Sequence, residues 1–332
     1  MTSEEPSAAL LAYRRLDDEV YRCYEQGRLE DGIRLLAAPP AELRPWRAEL
    51  AYLLACLQGA AGRPGEALET LRGALAAGDW WDPAVLEGEE DFAEVRRLPG
   101  FPPLREEAAR RWEEGRRTTR EHDLLVRPGT PSVRGVLLAL HGAEESERDA
   151  VRAWRPALRA GFTVLAVRSS WRTSPNYRTW PRGPRASEAL DEVDAAVAAH
   201  AGELEGRPLF LAGFSAGGRV ALRWALSRGR GAVAGVVAVA PAISVDELPD
   251  APDAPDAPDV PDVPAVTHLV VGADDDLLDD VRELAGHLPG CRLEVVEGAG
   301  HEVPAGAVGR ILGDWAGAAT TASGAERAAV RG

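Results

Sequence analysis

From residue 121 onward short apolar runs alternate with amphipathic stretches, and this alternation limits what the chain can fold into more than any other feature. The runs fall at 121–126, 133–140 (VRGVLLAL), 162–168 (FTVLAVR), 208–213 (PLFLAG), 233–240 (AVAGVVAV), 266–271 (VTHLVV) and 292–296 (RLEVV). Helical patterning lies between them, at roughly 145–160, 186–201, 216–228, 276–288 and 303–316. Strands that alternate with helices in this way predict an α/β fold, a mostly parallel sheet covered on both faces, over residues 119–316. The last sixteen residues, GAATTASGAERAAVRG, have little to bury and are expected to be a disordered tail, 317–332.

The first third is patterned differently. Gly27-Arg28-Leu29-Glu30-Asp31-Gly32-Ile33 lies on Gly62-Arg63-Pro64-Gly65-Glu66-Ala67-Leu68 at an offset of 35 residues. That offset resembles the ~34-residue tetratricopeptide period, in which two helices joined by a Gly-containing turn must stack on a neighbouring pair to bury their apolar faces. An all-helical domain is therefore expected over residues 1–118, with 83–118 supplying capping helices because only two units are visible. Such a domain either packs against the rest of the chain or forms a groove for a peptide or protein partner, and both roles stay open.

Composition excludes several classes of function. A formal net charge of −15 leaves no basic footprint for a nucleic-acid backbone or an anionic membrane. Cys23, Cys56 and Cys291 are odd in number and far apart, which predicts neither a disulfide framework nor a zinc site. The polar, acidic start MTSEEPSAAL is unlike a signal peptide, and no stretch approaches the ~20 apolar residues of a membrane span. A cytoplasmic protein is expected.

Within the α/β region, Ser215 stands in Gly213-Phe214-Ser215-Ala216-Gly217, directly after the run PLFLA and before a helical stretch. On a strand-to-helix turn this string is a nucleophile elbow; glycines on either side of the serine leave room for the tight turn, and the bland alternative is a helix N-cap serine. His301 follows a strand and the turn Gly298-Ala299-Gly300, where an imidazole can reach a serine hydroxyl and still rotate toward a leaving group. His268, His200, His287 and His122 fall within elements or lack a motif, whereas His141, in Leu140-His141-Gly142-Ala143, is expected to support the loop that holds an oxyanion. A carboxylate is needed between serine and histidine, and the acidic loop Asp274-Asp275-Asp276 after VTHLVV supplies three candidates that spacing alone does not separate. Backbone N–H groups would hold the oxyanion, from Ala216 at the helix start and from Ala143 with its neighbour Gly142.

With LHGA, GFSAGG, GADDD and GAGH in this order, residues 121–316, about 60% of the chain, resemble the α/β-hydrolase superfamily, in particular its small carboxylesterase/phospholipase and dienelactone-hydrolase-like members. The resemblance implies Ser215 as nucleophile, Asp275 as triad acid (third after Gly272) and His301 as base. It implies a serine hydrolase that cleaves a carboxylic ester or thioester of a small molecule through an acyl-enzyme, without metal or organic cofactor. The alternatives are a serine peptidase of the same fold and a non-catalytic interaction module built on the helical repeats. Many superfamily members insert a helical lid before the sixth strand; here that interval, 248–264, holds the proline-aspartate repeat LPDAPDAPDAPDVPDVP, expected to be extended polyproline II.

Between Arg168 and Arg185 lie Arg168, Arg172, Arg178, Arg182 and Arg185, interleaved with Trp171, Tyr177 and Trp180 and with no acid among them. This loop is expected to shape a substrate pocket through Trp171, Tyr177 and Trp180, with Arg172 and Arg178 attracting an anionic substrate. The competing expectation is that these arginines pair with the Asp-Pro repeat or with the acidic helical domain.

Overall fold

A computed structural model describes residues 8–116, 123–229, 231–248 and 266–329, and the chain divides into two compact units. One comprises Met1–Arg120 together with Arg172–Tyr177; the other comprises Glu121–Trp171 and Arg178–Gly332.

The helical unit contains α1 (Ala8–Glu25), α2 (Leu29–Leu36), α3 (Arg47–Ala60), α4 (Pro64–Ala76), α5 (Pro83–Gly88) and α6 (Phe101–Arg116). The turns between α1 and α2 and between α3 and α4 repeat one another. Gly27 and Gly62 both take positive φ (66° and 74°), and in each case the next residue's N–H, from Arg28 or Arg63, reaches back to the carbonyl of Cys23 or Gln58 at 2.8 Å. Left-handed backbone at these two positions favours glycine, which accounts for the 35-residue self-similarity in physical terms. Two apolar cores result, one around Tyr13, Val20, Leu36, Leu43, Leu50 and Leu57, the other around Ala55, Leu71, Trp81, Leu86 and Phe92.

The segment Arg172–Tyr177 completes this unit. Glu49 is a carboxylate only 2% exposed, and Ser174 Oγ donates to it. Asn176 donates to it through both its backbone N–H (3.0 Å) and its Nδ2 (2.9 Å). The Tyr177 hydroxyl meets that of Tyr13, its ring is edge-on to Trp46 at 6.0 Å, and Arg172 lies over the Trp80 ring at 5.2 Å. Arg172 and Tyr177 therefore belong to the packing of the helical unit. The reason is the buried Glu49, whose charge must be met by donors.

The second unit is a seven-stranded sheet in the order β1-β3-β2-β4-β5-β6-β7, with β1 (Leu124–Val126), β2 (Gly135–Leu140), β3 (Phe162–Val167), β4 (Leu209–Phe214), β5 (Gly235–Val239), β6 (Thr267–Gly272) and β7 (Arg292–Val296). Only β1 is antiparallel to its neighbour; every other pair is parallel. The strands β2, β3, β5 and β6 are buried at every position, as their unbroken apolar runs require. Around the sheet lie α7 (Glu147–Ala153), α8 (Arg155–Arg159), α9 (Ala186–Ala199), α10 (Ala201–Leu204), α11 (Ala216–Arg228), α12 (Leu278–His287) and α13 (Ala305–Ala329).

Two helices differ from expectation. The single helix expected at 145–160 is broken at Trp154 into α7 and α8, because Pro156 has no N–H to continue the helical ladder and instead occupies the first turn of the second piece. Where a disordered tail was expected from residue 317, the backbone of α13 continues to Ala329; alanine-rich sequence supplies helix propensity where apolar periodicity has ended. The Asp-Pro repeat, from Pro249 on, lies outside the described residues. Among the described residues no helix is long and apolar enough to cross a membrane.

Candidate active site

Parallel strands deliver their carboxyl ends to one edge of a sheet, and ligands of open α/β sheets bind there. Ser215 follows β4, Asp275 follows β6, His301 follows β7, and the loop carrying Gly142 and Ala143 follows β2.

At Ser215 the backbone takes φ 49° and ψ −115°, a region that residues with a Cβ enter only under strain of order 1–3 kcal/mol. Its N–H donates to Val239 O at 2.9 Å, and its carbonyl accepts from Ala242 N at 3.1 Å and Arg219 N at 3.0 Å, so β5 and α11 hold the turn from both sides. A Cβ on Gly213 would lie 2.3 Å from Gly217 O, and one on Gly217 would lie 2.4 Å from the carbonyl oxygens of both Leu140 and His141. The start of α11 thus sits directly on the end of β2. Gly217→Ala is expected to lower stability by about 1–3 kcal/mol or more, because backbone and not a flexible side chain must move. Urea unfolding checks this, with Gly202→Ala, whose added Cβ would meet open space, leaving the midpoint unchanged or higher.

The three side chains singled out in the sequence meet. His301 Nε2 is 3.1 Å from Ser215 Oγ, and its Nδ1 is 3.1 and 3.0 Å from the two oxygens of Asp275. Asp275 Oδ1 also accepts the Leu277 N–H at 2.9 Å, which fixes the carboxylate's rotation. The structure separates the three acidic candidates, since Asp275 is 5% exposed while Asp274 and Asp276 are exposed. Gly272 permits the approach of the histidine turn, because a Cβ there would lie 2.1 Å from Ala299 O. The Phe214 ring flanks His301 at 4.8 Å.

His141 is fully buried, with Nδ1 2.7 Å from Gly142 O and Nε2 accepting the Ser169 N–H at 3.3 Å. Those partners require a neutral ring protonated on Nδ1, and burial pushes its pKa down from the ordinary histidine value. Gly142 is a correction: its N–H donates to the Glu145 carboxylate at 2.7 Å and is committed there. Glu144, at φ 61°, turns the chain so that Glu145 faces back. Among the described residues the N–H groups of Ala143 and Ala216 have no hydrogen-bond partner.

Arg178 and Trp180 brace this loop, a role not foreseen for them. Arg178 O accepts the Glu144 N–H at 2.7 Å, and its guanidinium donates to Ser169 O at 2.8 Å. Trp180, 1% exposed, donates its indole N–H to His141 O at 2.8 Å. Trp171 is half-buried beneath the Arg185 guanidinium, 4.2 Å from its ring centre.

Near the elbow Arg182 is joined by two cations that the sequence pattern does not single out, Arg219 and Arg223. Arg219 is 2% exposed and donates to Trp180 O at 2.9 Å. Arg182 donates to Ala242 O at 2.8 Å and lies 3.6 Å from Glu247, which is 4.0 Å from Arg223. Burial first, then the charges of Arg182 and Arg223, bring Arg219 down to about 10 against the partial offset of Glu247, so it remains a cation at neutral pH. An arginine four residues after the elbow serine, on a helix otherwise almost wholly buried, was the available signal.

Among the described residues one group has metal-ligand chemistry, Cys56, Glu89 and Asp91 of the helical unit. Its carboxylates already accept from the hydroxyls of Tyr52 (2.7 Å) and Tyr24 (3.1 Å). Burial and these carboxylates push the Cys56 thiol well above its ordinary value, which disfavours the thiolate a metal would need.

Strand order, elbow and the placement of serine, acid and histidine at strand ends define an α/β-hydrolase fold. Residues 131–261 match the family model described as serine aminopeptidase, S33, and residues 12–116 match the one described as A/B hydrolase-like, N-terminal domain. Neither description names a tetratricopeptide repeat. No curated protein matches the chain. Similar solved structures include a carboxylesterase from Bacillus cereus (17% identity, 63% of this chain and 99% of that one, TM-score 0.46) and a monoacylglycerol lipase from Paleococcus ferrophilus (20%, 60% and 100%, 0.44). An uncharacterized protein from Bacillus cereus ATCC 10987 is similar over 91% of this chain and 97% of that one (19%, 0.43).

Proposed function

We propose that the protein is a serine hydrolase that cleaves a carboxylic ester or thioester by two-step acyl transfer to water. Ser215 Oγ attacks the carbonyl as His301 Nε2 takes its proton, and Asp275 holds the Nδ1–H tautomer and stabilises the imidazolium that forms. The oxyanion is held by the N–H groups of Ala216 and Ala143. His301 then protonates the leaving group and activates water for release of the acyl group. The observation that carries the proposal is the contact of one imidazole with both partners, 3.1 Å to Ser215 and 3.0 Å to Asp275.

A second reading, a peptidase, is favoured by the description of the family model matching residues 131–261 as a serine aminopeptidase. An aminopeptidase must hold the free α-ammonium of its substrate, and here the described residues bring three guanidiniums against one carboxylate beside the elbow. That charge balance repels an ammonium and supports the ester reading. Turnover of 4-nitrophenyl butyrate against alanine 4-nitroanilide separates the two. The ester is expected to be the better substrate in kcat/KM; faster anilide cleavage overturns ester specificity in favour of the peptidase.

A further inference from the structure

The stretch from Arg168 to Arg185 carries five arginines, and the structure gives four of them definite employment. Arg168 pairs with the buried Glu147, donating from Nε at 2.6 Å. Arg172 packs in the helical unit over Trp80, Arg178 braces the loop after β2, and Arg185 pairs with Glu188 at 2.7 Å. Arg182 is left, with its side chain 58% exposed, and it does not stand alone.

Arg219 and Arg223 occupy positions four and eight residues after Ser215, successive turns of nearly the same face of α11. Along the helix axis they lie about 6 and 12 Å beyond the serine. Arg182 reaches the group from the loop after β3 through Ala242 O, and the Ala242 N–H is itself bonded to Ser215 O. One acid, Glu247, faces the three guanidiniums; it is 3.6 Å from Arg182 and 4.0 Å from Arg223, too far in each case for a hydrogen bond, and has no contact of this kind with Arg219 among the described residues. Among the described residues the group therefore sets three positive charges against one negative. In a chain of net charge −15 such a local excess is not a by-product of composition.

The donors are not used up either. Arg219 has five N–H bonds, and among the described residues its hydrogen bonds are those from Nη2 to Trp180 O and Pro181 O. Arg223 Nε is buried with no partner. Buried guanidinium donors left open beside a functional serine are costly unless something meets them.

We infer that Arg182, Arg219 and Arg223 form an anion-binding subsite beside Ser215, and that the ester cleaved there carries a carboxylate at the far end of its acyl chain. The inference rests on the proposal of Ser215 as nucleophile. A carboxylate fits better than a phosphate dianion, because Glu247 inside the group repels a second full charge.

The test compares mono-4-nitrophenyl suberate with its uncharged methyl ester, so that a general loss of activity cancels in the ratio of their kcat/KM values. The intact protein is expected to prefer the acid by about tenfold or more. Arg182→Gln and Arg223→Gln should each bring the ratio toward one, with Arg182→Lys retaining part of it. Both side chains are partly exposed, so folding does not depend on them as it does on Arg219. In parallel, calorimetry with suberate itself should show binding that weakens in Arg182→Gln. Cleavage of the methyl ester with no preference for the acid and no suberate binding overturns the subsite and leaves the hydrolase assignment standing. Suberate binding that depends on Arg182, with neither ester cleaved, does the reverse. Failure of both cleavage and binding overturns both.

Discussion

Ser215→Ala is expected to lower kcat for an ester substrate by about five to six orders of magnitude while leaving the fold intact. Among the described residues the hydroxyl's one side-chain hydrogen bond is to His301, so removing it leaves no core group unsatisfied. The strained backbone at φ 49° is set by the grip of Val239, Ala242 and Arg219 on the peptide groups, and alanine inherits it unchanged. What disappears is the proposed nucleophile. Because serine and histidine act as a unit in the proposed mechanism, His301→Ala should be about as damaging alone, and the double variant no worse than either. Steady-state turnover with circular dichroism as the folding control checks this; residual activity within tenfold of the parent would remove Ser215 from the mechanism.

Asp275→Asn is expected to lower kcat by about four orders of magnitude, again with folding retained. Its Oδ1 accepts the Leu277 N–H, so an asparagine keeps its carbonyl oxygen there and turns its NH2 toward His301 Nδ1. A donor facing Nδ1 forces the imidazole proton onto Nε2, and a protonated Nε2 cannot accept the proton of Ser215. The neighbouring Asp274→Asn and Asp276→Asn alter exposed carboxylates and should change turnover by less than about threefold. Equal losses at all three positions would point to local unfolding of the turn, and no loss at Asp275 would refute its role.

The sheet was legible in the sequence because a buried parallel strand has to be apolar at nearly every position. All seven runs became strands, each within about three residues of the expected limits. The meeting of Ser215, Asp275 and His301 was legible for a related reason: strand ends gather at one edge, so motifs far apart in sequence are brought together by topology. Where expectation failed, the deciding contact was non-local or a matter of hydrogen-bond accounting. Nothing near Asn176 or Tyr177 announces that Glu49, more than 120 residues earlier, needs donors. Gly142 looked available until the carboxylate of Glu145 turned back onto its N–H. A charged residue on a helix is ordinarily solvated, and only the packing of α11 shows Arg219 buried.

In the proposed mechanism His301 makes the Ser215 hydroxyl nucleophilic, and the intact mass of the protein after exposure to a fluorophosphonate reports this directly. The parent should gain one phosphonyl group, mapped to Ser215 by peptide sequencing, and Ser215→Ala should gain none. An unlabelled parent that is demonstrably folded, or a label carried equally by Ser215→Ala, would contradict it.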